Sequence, residues 1–280
     1  MAFTTLISTS ALAMRLDDPA VAIVDCRGKL DDEQWGAREY GASHIPGAMY
    51  ADLNRDLSGP KTGANGRHPL PDAGVLARAF GRLAIASGVQ VVAYDQDNGM
   101  WASRLWWLLR WLGHDAVAVL DGGFAKWIAE ERPTDRGEVR REPREFVAAP
   151  RAAMVADVAA VAARVGSRDW RLVDARAPER YRGEVEPIDR TPGHIPGAVN
   201  HFFQTNVENG VFRTPEQLRA NFAPTIASTP MDHVICYCGS GVTACHNLLA
   251  LEHAGMPGAK LYVGSWSEWS ADPSRPVERG

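Results

Sequence analysis

Short runs of apolar, largely β-branched residues alternate along the chain with stretches in which apolar residues recur at helical spacing. The apolar runs cover residues 21–25, 89–94, 116–121, 170–174, 233–237 and 259–263. The helical stretches include residues 71–84 and 214–223. Strands that are apolar on both sides and separated by helices predict parallel sheets covered by helices on both faces, an α/β fold. Functional loops of such sheets lie at the carboxyl ends of the strands.

The two halves of the chain repeat one pattern. In the first half AIVDCR, SHIPGAMY and LDGGFAKW follow one another, and in the second half RLVDAR, GHIPGAVN and YVGSWSEW occupy the same places. Asp25 and His44 are 19 positions apart, and Asp174 and His194 are 20 apart. This spacing predicts a duplicated unit. We expect a first domain over residues 1–135, a charged, proline-containing linker over 136–153, and a second domain over 154–280.

The most informative segment is Tyr237-Cys238-Gly239-Ser240-Gly241-Val242-Thr243, between a predicted strand and a predicted helix. Glycines at a strand-to-helix turn let successive N–H groups point into one cup, and the helix adds the positive end of its dipole. Such a cup favours an anionic sulfur, so Cys238 is the candidate nucleophile. The first half has the acidic residue Asp95 at the matching place, and we expect that loop to hold no anion and to be structural.

The other cysteines are expected to be inert. Cys236 alternates away from the loop, Cys26 lies on a buried strand, and Cys245 is expected to pack, with redox activity as its alternative. We expect no metal site, because neighbouring strand residues face opposite sides and no second Cys-x-x-Cys pair occurs.

Composition narrows the partners. The formal net charge is −4 with a pI near 6.1, which gives no basic field for nucleic acid or anionic lipid. Four cysteines are too few for a disulfide scaffold. The amino terminus lacks a basic start and a long apolar core, and no apolar run is long enough to cross a membrane. We therefore expect a cytoplasmic enzyme with a small substrate.

The paired VDxR and HIPGA blocks, the Cys-Gly-Ser-Gly-Val-Thr loop and the closing GSWSEW resemble the tandem-domain rhodanese sulfurtransferases over essentially the whole chain. The resemblance implies two rhodanese-like domains and no cofactor. It also implies that Cys238 carries sulfur as a persulfide among the backbone amides of Gly239, Gly241, Val242 and Thr243. Acceptors would be cyanide or a thiol such as thioredoxin or glutathione.

Within the family, thiosulfate-preferring members carry Arg-Lys after the cysteine, whereas 3-mercaptopyruvate sulfurtransferases carry Gly-Ser. Gly239 and Ser240 therefore favour 3-mercaptopyruvate, with thiosulfate as the alternative donor. Arg180 matches the first substrate arginine of the family. The segment of the second is shorter here, and Arg190 is its candidate replacement.

His68 matches the family histidine that works with the loop serine, which predicts a His68–Ser240 proton relay. The position of the family's supporting aspartate holds Asn54, with Asp52 and Asp56 on either side. His44 and His194 recur in both halves, as do Asp25 with Arg27 and Asp174 with Arg176, so we assign these residues to structure. Trp266 is expected near the loop.

A cysteine phosphatase is the alternative from another enzyme class. It also uses a strand, cysteine loop and helix, but it needs an arginine six residues after the cysteine, where this chain has Ala244. A non-enzymatic sulfur-carrying or binding module is the other alternative, and the intact Cys238 loop argues against it.

Overall fold

A computed structural model describes residues 2–280, which cluster into two compact units. The first unit contains the residues up to Ser58 together with 71–151 and 209–212. The second unit contains residues 59–70, 152–208 and 213–280.

Ten elements alternate strand and helix in the first unit, in the order that the apolar pattern predicts. They are β1 (Leu6–Ile7), α1 (Thr9–Ala13), β2 (Val21–Asp25), α2 (Trp35–Ala42), β3 (Met49–Tyr50), α3 (Ala73–Arg82), β4 (Gln90–Tyr94), α4 (Ala102–Trp111), β5 (Val117–Leu120) and α5 (Gly123–Ala129). Helix α3 begins where Asp72 accepts hydrogen bonds from two backbone N–H groups of its first turn.

The remaining elements follow in chain order. They are β6 (Val155–Ala156), α6 (Val158–Ala162), β7 (Arg171–Asp174), α7 (Pro178–Tyr181), β8 (Val199–Asn200), β9 (Val207–Glu208), β10 (Val211–Phe212), α8 (Pro215–Ile226), β11 (Val234–Tyr237), α9 (Thr243–His253), β12 (Lys260–Tyr262) and α10 (Ser265–Trp269). Short 3-10 helices cover Ala152–Met154, Phe203–Asn206 and Met231–His233. Thr214 and Gln217 form a capping box at the start of α8, which accounts for the helix predicted there.

Each unit has one five-stranded parallel sheet, and the strand order is the same in both. The first is ordered β1-β5-β4-β2-β3 and the second β6-β12-β11-β7-β8. Each strand of one sheet has its counterpart at the same position in the other, which confirms the predicted duplication and the α/β class. The edge strands of two residues each escaped the sequence pattern because they are too short to show a period.

The sheets bury apolar side chains on both faces, as parallel sheets require. Ile23, Val92 and Trp127 belong to the core of the first unit, and Ile235 and Trp266 to that of the second. No helix between residues 2 and 280 combines the length and apolar character needed to cross a bilayer.

The repeated polar residues brace the ends of equivalent strands. Arg27 Nη2 lies 2.7 Å from Asp25 Oδ2, and Arg176 Nη2 lies 2.6 Å from Asp174 Oδ2, with all four side chains buried. The two HIPGA histidines also behave alike: Nδ1 of His44 lies 2.8 Å from a backbone carbonyl and Nδ1 of His194 lies 2.7 Å from another. The structural interpretation of these pairs is confirmed.

Two features depart from a simple division of the chain into halves. Residues 59–70 lie in the first half of the sequence, yet they belong to the second unit. Residues 136–151 have little regular structure, as expected of a linker, but they pack on the first unit. There Arg144 N–H donates to Gly81 at 2.9 Å, and Phe146 packs edge-to-face on Phe80. Residues 136–151 are therefore an ordered segment packed on the first unit and not a free linker, because the buried ring of Phe146 and backbone hydrogen bonds fix them there.

Replacing Arg27 by Met tests the buried ion pair. Asp25 is fully buried, so removing its partner leaves an uncompensated charge and should lower the free energy of unfolding by about 3–5 kcal/mol. Arg38→Met is the matched control, because Arg38 pairs with Asp32 at the surface and its loss should barely change stability. Urea unfolding followed by circular dichroism measures both variants, and equal effects would contradict a special role for the buried pair.

Candidate active site

The Cys238 loop begins where β11 ends and leads into α9. Cys238 is 2% exposed, and Gly241 N–H donates to its Sγ at 3.1 Å. Gly241 has φ +77°, and a β-carbon there would lie 2.4 Å from the carbonyl oxygen of Val263, so only glycine fits. The glycine turn therefore aims a backbone donor at the sulfur, as the sequence predicts.

Hydrogen bonds join the Cys238 loop to the residues at the start of α10. Cys238 N–H donates to Ser265 Oγ at 3.1 Å, and Ser265 Oγ donates to the Tyr262 carbonyl at 2.8 Å. Trp266 N–H donates to the Cys238 carbonyl, and Ser267 N–H to the Gly239 carbonyl, both at 2.9 Å. Ser265 has φ +55°, a strained value for a residue with a side chain. Trp266 thus lies beside the loop as expected, through its backbone.

His68 meets the loop inside the second unit. His68 Nδ1 and Ser240 Oγ are 2.8 Å apart, and both residues are buried. Arg67 N–H donates to Ser267 Oγ at 3.1 Å, which ties the histidine segment to α10. A hydroxyl and an imidazole at this distance can pass a proton between them. In the first unit, Asp52 and Asp56 stabilise the turn between them, because Asp52 N–H donates to Asp56 Oδ2 at 2.9 Å.

Two guanidinium groups lie over Gly239. A β-carbon built on Gly239 would be 2.8 Å from Arg67 Nη2 and 3.6 Å from Arg180 Nη1. The motif match predicts Arg180 at this place but gives no indication of Arg67. Both cations thus lie beside the residue that follows the cysteine.

Acidic residues link these arginines into a chain of ion pairs with alternating charge. In order, its members are Asp174, Arg176, Glu186, Arg180, Asp189 and Arg67. Burial alone would raise the pKa of Glu186, but hydrogen bonds from Arg180 and from backbone N–H groups outweigh burial and lower it. Burial raises the pKa of Asp189 despite its two arginine neighbours. The side chains of this ion-pair chain are therefore highly charged, but their positive and negative charges nearly cancel.

The other predicted site residues lie close by in different settings. Arg190 lines a cavity of about 300 Å³ with Lys61, Arg67 and Ser267, and no hydrogen bond or ion pair within residues 2–280 joins it to the loop. Val242 is the residue before α9 and Thr243 is the first residue of that helix, so both belong to the turn around the sulfur.

The remaining thiols differ from Cys238 in their surroundings. Burial raises the pKa of Cys236 and of Cys26, as expected for inert thiols. Cys245 Sγ donates to the Gly241 carbonyl at 3.2 Å, a packing role within the same turn. All four cysteines are free. Residues 2–280 contain no group of three or more His, Cys, Asp or Glu side chains arranged to hold a metal ion.

The matching loop of the first unit is built on the same plan but is filled from within. Asp95 is fully buried and accepts hydrogen bonds from the N–H groups of Gly99, Trp101 and Ala102 at 2.9, 2.7 and 3.1 Å. Burial raises the pKa of this carboxyl to about 6, against the opposing effect of those hydrogen bonds. The expectation that this loop is structural and holds no bound anion fits this arrangement, because its amides already surround the carboxyl group of Asp95.

Sequence reasoning missed Arg67, Glu186, Asp189 and Ser265. The only sequence signal for Arg67 was its place beside His68. Asp189 and Glu186 sit in a loop whose length differs from the family pattern, and Ser265 looks like an ordinary helix residue. The roles of Arg67, Asp189 and Ser265 depend on contacts between segments far apart along the chain, whereas Glu186 bonds to residues within ten positions of it.

Comparison with known proteins identifies the family of the chain. A family model described as "Rhodanese-like domain" matches residues 8–130 and 157–272. A Pseudomonas aeruginosa protein named "Probable 3-mercaptopyruvate sulfurtransferase" is 48% identical over 283 residues, covering 100% of both chains. The thiosulfate sulfurtransferase of Rattus norvegicus is 33% identical, covering 99% of this chain and 96% of its own. The crystal structure of SseA from Escherichia coli, titled as a 3-mercaptopyruvate sulfotransferase, has a TM-score of 0.82 and 34% identity, covering 94% of this chain and 99% of that one.

The Asp95 loop generates a pH prediction. The pKa of Asp95 is higher in the folded state than the ordinary 3.8, so folding favours the protonated carboxyl. Stability from this group is complete below about pH 4 and is lost as pH rises through about 6, by roughly 3 kcal/mol. Urea unfolding between pH 4 and 7 measures this slope. Asp95→Ala should flatten it, whereas Asp31→Ala, which removes an exposed carboxylate of the same unit, should keep it. An unchanged slope in Asp95→Ala would contradict the assignment.

Proposed function

Because this chain belongs to the tandem-domain rhodanese sulfurtransferases, we propose that it takes sulfur from 3-mercaptopyruvate and carries it as a persulfide on Cys238. The observation that carries this proposal is the meeting of three groups at one loop. Gly241 N–H faces the sulfur of Cys238, and the His68–Ser240 pair lies two residues on. The guanidinium groups of Arg67 and Arg180 lie over the residue between them.

The first half-reaction needs both a nucleophile and a proton. The Cys238 thiolate attacks the sulfur of 3-mercaptopyruvate, a sulfur–sulfur bond forms, and the bond between that sulfur and C3 breaks. The electron pair goes to C3, and the resulting enolate takes a proton to become pyruvate. Ser240, paired with His68, is the proton source that we propose.

The second half-reaction regenerates the enzyme. An acceptor thiolate attacks the outer sulfur of the persulfide, so that the acceptor leaves as a persulfide and Cys238 returns to a thiolate. Cyanide reacts in the same way and gives thiocyanate. Thioredoxin and glutathione are the thiol acceptors that we propose, and the reaction needs no cofactor. The four free thiols support a reducing, cytoplasmic setting.

The arginines supply the binding of the donor. A carboxylate is well matched by guanidinium groups, which offer paired N–H donors. We assign this binding to Arg180 and, in place of Arg190, to Arg67, because Arg67 lies over Gly239 and Arg190 has no bond to the loop. Thiosulfate remains the alternative donor, since two cations can also hold a sulfonate.

Cys238→Ser tests the persulfide. The variant should keep the fold and lose transfer from 3-mercaptopyruvate by at least about a thousandfold, since the nucleophile is gone. Intact-mass measurement after donor treatment should find one added sulfur atom on the wild type and none on the variant. Cys245→Ser is the matched control and should still gain the sulfur. A sulfur adduct that persists in Cys238→Ser would contradict the proposal.

Ser240→Ala tests the proton relay. Pyruvate formation consumes a proton, whereas sulfite leaves thiosulfate without one. Loss of the hydroxyl should therefore lower kcat with 3-mercaptopyruvate by about 100-fold and change kcat with thiosulfate much less. His68→Gln should follow the same pattern, and the exposed Ser274→Ala should change neither rate. Equal losses with both donors would mean that the pair only supports the loop.

A further inference from the structure

We propose that Asp189 is a specificity-determining residue that sets the charge of the donor site and favours singly charged over doubly charged sulfur donors. This inference rests on the proposed function, because it concerns the same Cys238 site. The family pattern attributes donor selectivity to Gly239 and Ser240 of the cysteine loop. Asp189 lies outside that loop.

The position of Asp189 carries the inference. Its carboxylate lies between the two guanidinium groups that face Gly239: Oδ1 is paired with Arg67, and Oδ2 lies 3.4 Å from Arg180 Nη2. The Asp189 side chain is 6% exposed, so solvent screens these interactions weakly. Of the acidic residues in the ion-pair chain, Asp189 is the one that touches both of these guanidinium groups.

Glu186 has a different function in the same chain. Its Oε1 accepts hydrogen bonds from the backbone N–H groups of Ile188 at 3.1 Å and Asp189 at 3.0 Å. The same oxygen accepts a third from Arg180 Nη2 at 2.6 Å. Glu186 therefore shapes the loop that it belongs to. The hydrogen bonds and ion pairs of the Asp189 carboxylate run to arginines, so removing its charge alters the electrostatics without removing a backbone hydrogen bond.

The charges of the ion-pair chain sum to zero. Three acidic and three basic side chains alternate from the fully buried Asp174 to Arg67, whose side chain is 30% exposed. A donor with one carboxylate brings a single negative charge to this balanced site, whereas thiosulfate brings two. Because Coulomb energy scales with the charge of the ligand, any change in the site's charge alters binding of a dianion about twice as much as binding of a monoanion.

Asp189→Asn is the direct test. The variant gives the site one more positive charge and should raise kcat/KM for thiosulfate, relative to kcat/KM for 3-mercaptopyruvate, by about tenfold. Glu184→Gln is the matched control, because it removes one negative charge from the same segment. Glu184 pairs with the exposed Arg182 and with no member of the ion-pair chain. The ratio of the two kcat/KM values should stay at the wild-type value in Glu184→Gln. Asp189→Glu keeps the negative charge and should stay close to that value.

Arg67→Gln is the reciprocal variant and keeps the test decisive if Asp189→Asn fails to fold. Removing this positive charge should move the ratio toward 3-mercaptopyruvate. A ratio that stays unchanged in the folded variants, or moves in the opposite sense, overturns the inference.

A binding experiment separates this inference from the proposed function. In the Cys238→Ser background, where no chemistry occurs, calorimetry measures the affinity for sulfate and for pyruvate. Adding Asp189→Asn should strengthen sulfate binding about tenfold more than pyruvate binding, and equal changes overturn the inference. If sulfate responds as expected but the wild type transfers no sulfur from 3-mercaptopyruvate, the donor proposal fails while the role of Asp189 stands.

Discussion

The candidate active site depends on the hydrogen bonds that join the Cys238 loop to the start of α10. Ser265 accepts the N–H of Cys238, and the next two N–H groups of α10 donate to the carbonyls of Cys238 and Gly239. These bonds satisfy backbone groups of Cys238 and Gly239, while Gly241 N–H donates to the sulfur. The strained φ of Ser265 is consistent with a residue held in place by bonds at both ends of its hydroxyl group.

The duplicated architecture separates what the fold requires from what the chemistry requires. Both units keep the aspartate–arginine pair at a strand end and the HIPGA histidine bonded to a backbone carbonyl, because each sheet needs the same turn after the same strand. The loops differ where chemistry begins. In the first unit Asp95 places its own carboxylate among the loop amides, whereas in the second unit a backbone N–H of the loop donates to the thiol of Cys238.

A chain of ion pairs links the end of β7 to the Cys238 loop. The ion-pair chain starts at Asp174, which the sheet buries completely, and ends at Arg67 beside the loop. Because each carboxylate in the middle of this chain is shared by two arginines, the orientation of the outer guanidinium groups is fixed before any donor arrives. Such preorganisation reduces the cost of ordering side chains on binding.

Local patterns along the sequence determined most of the fold. Apolar runs and helical spacing located the long strands and helices, the repeat revealed two equivalent units, and the glycine turn identified Cys238 as the candidate nucleophile. The motif match also paired His68 with Ser240. Only the tertiary structure placed residues 59–70 in the second unit, laid residues 136–151 along the first, and brought Arg67 and Asp189 to the loop. The physical reason is range: periodicity and capping are set by neighbours a few residues apart, whereas the charge of the donor site arises from side chains more than a hundred residues apart, whose meeting depends on how the whole unit packs.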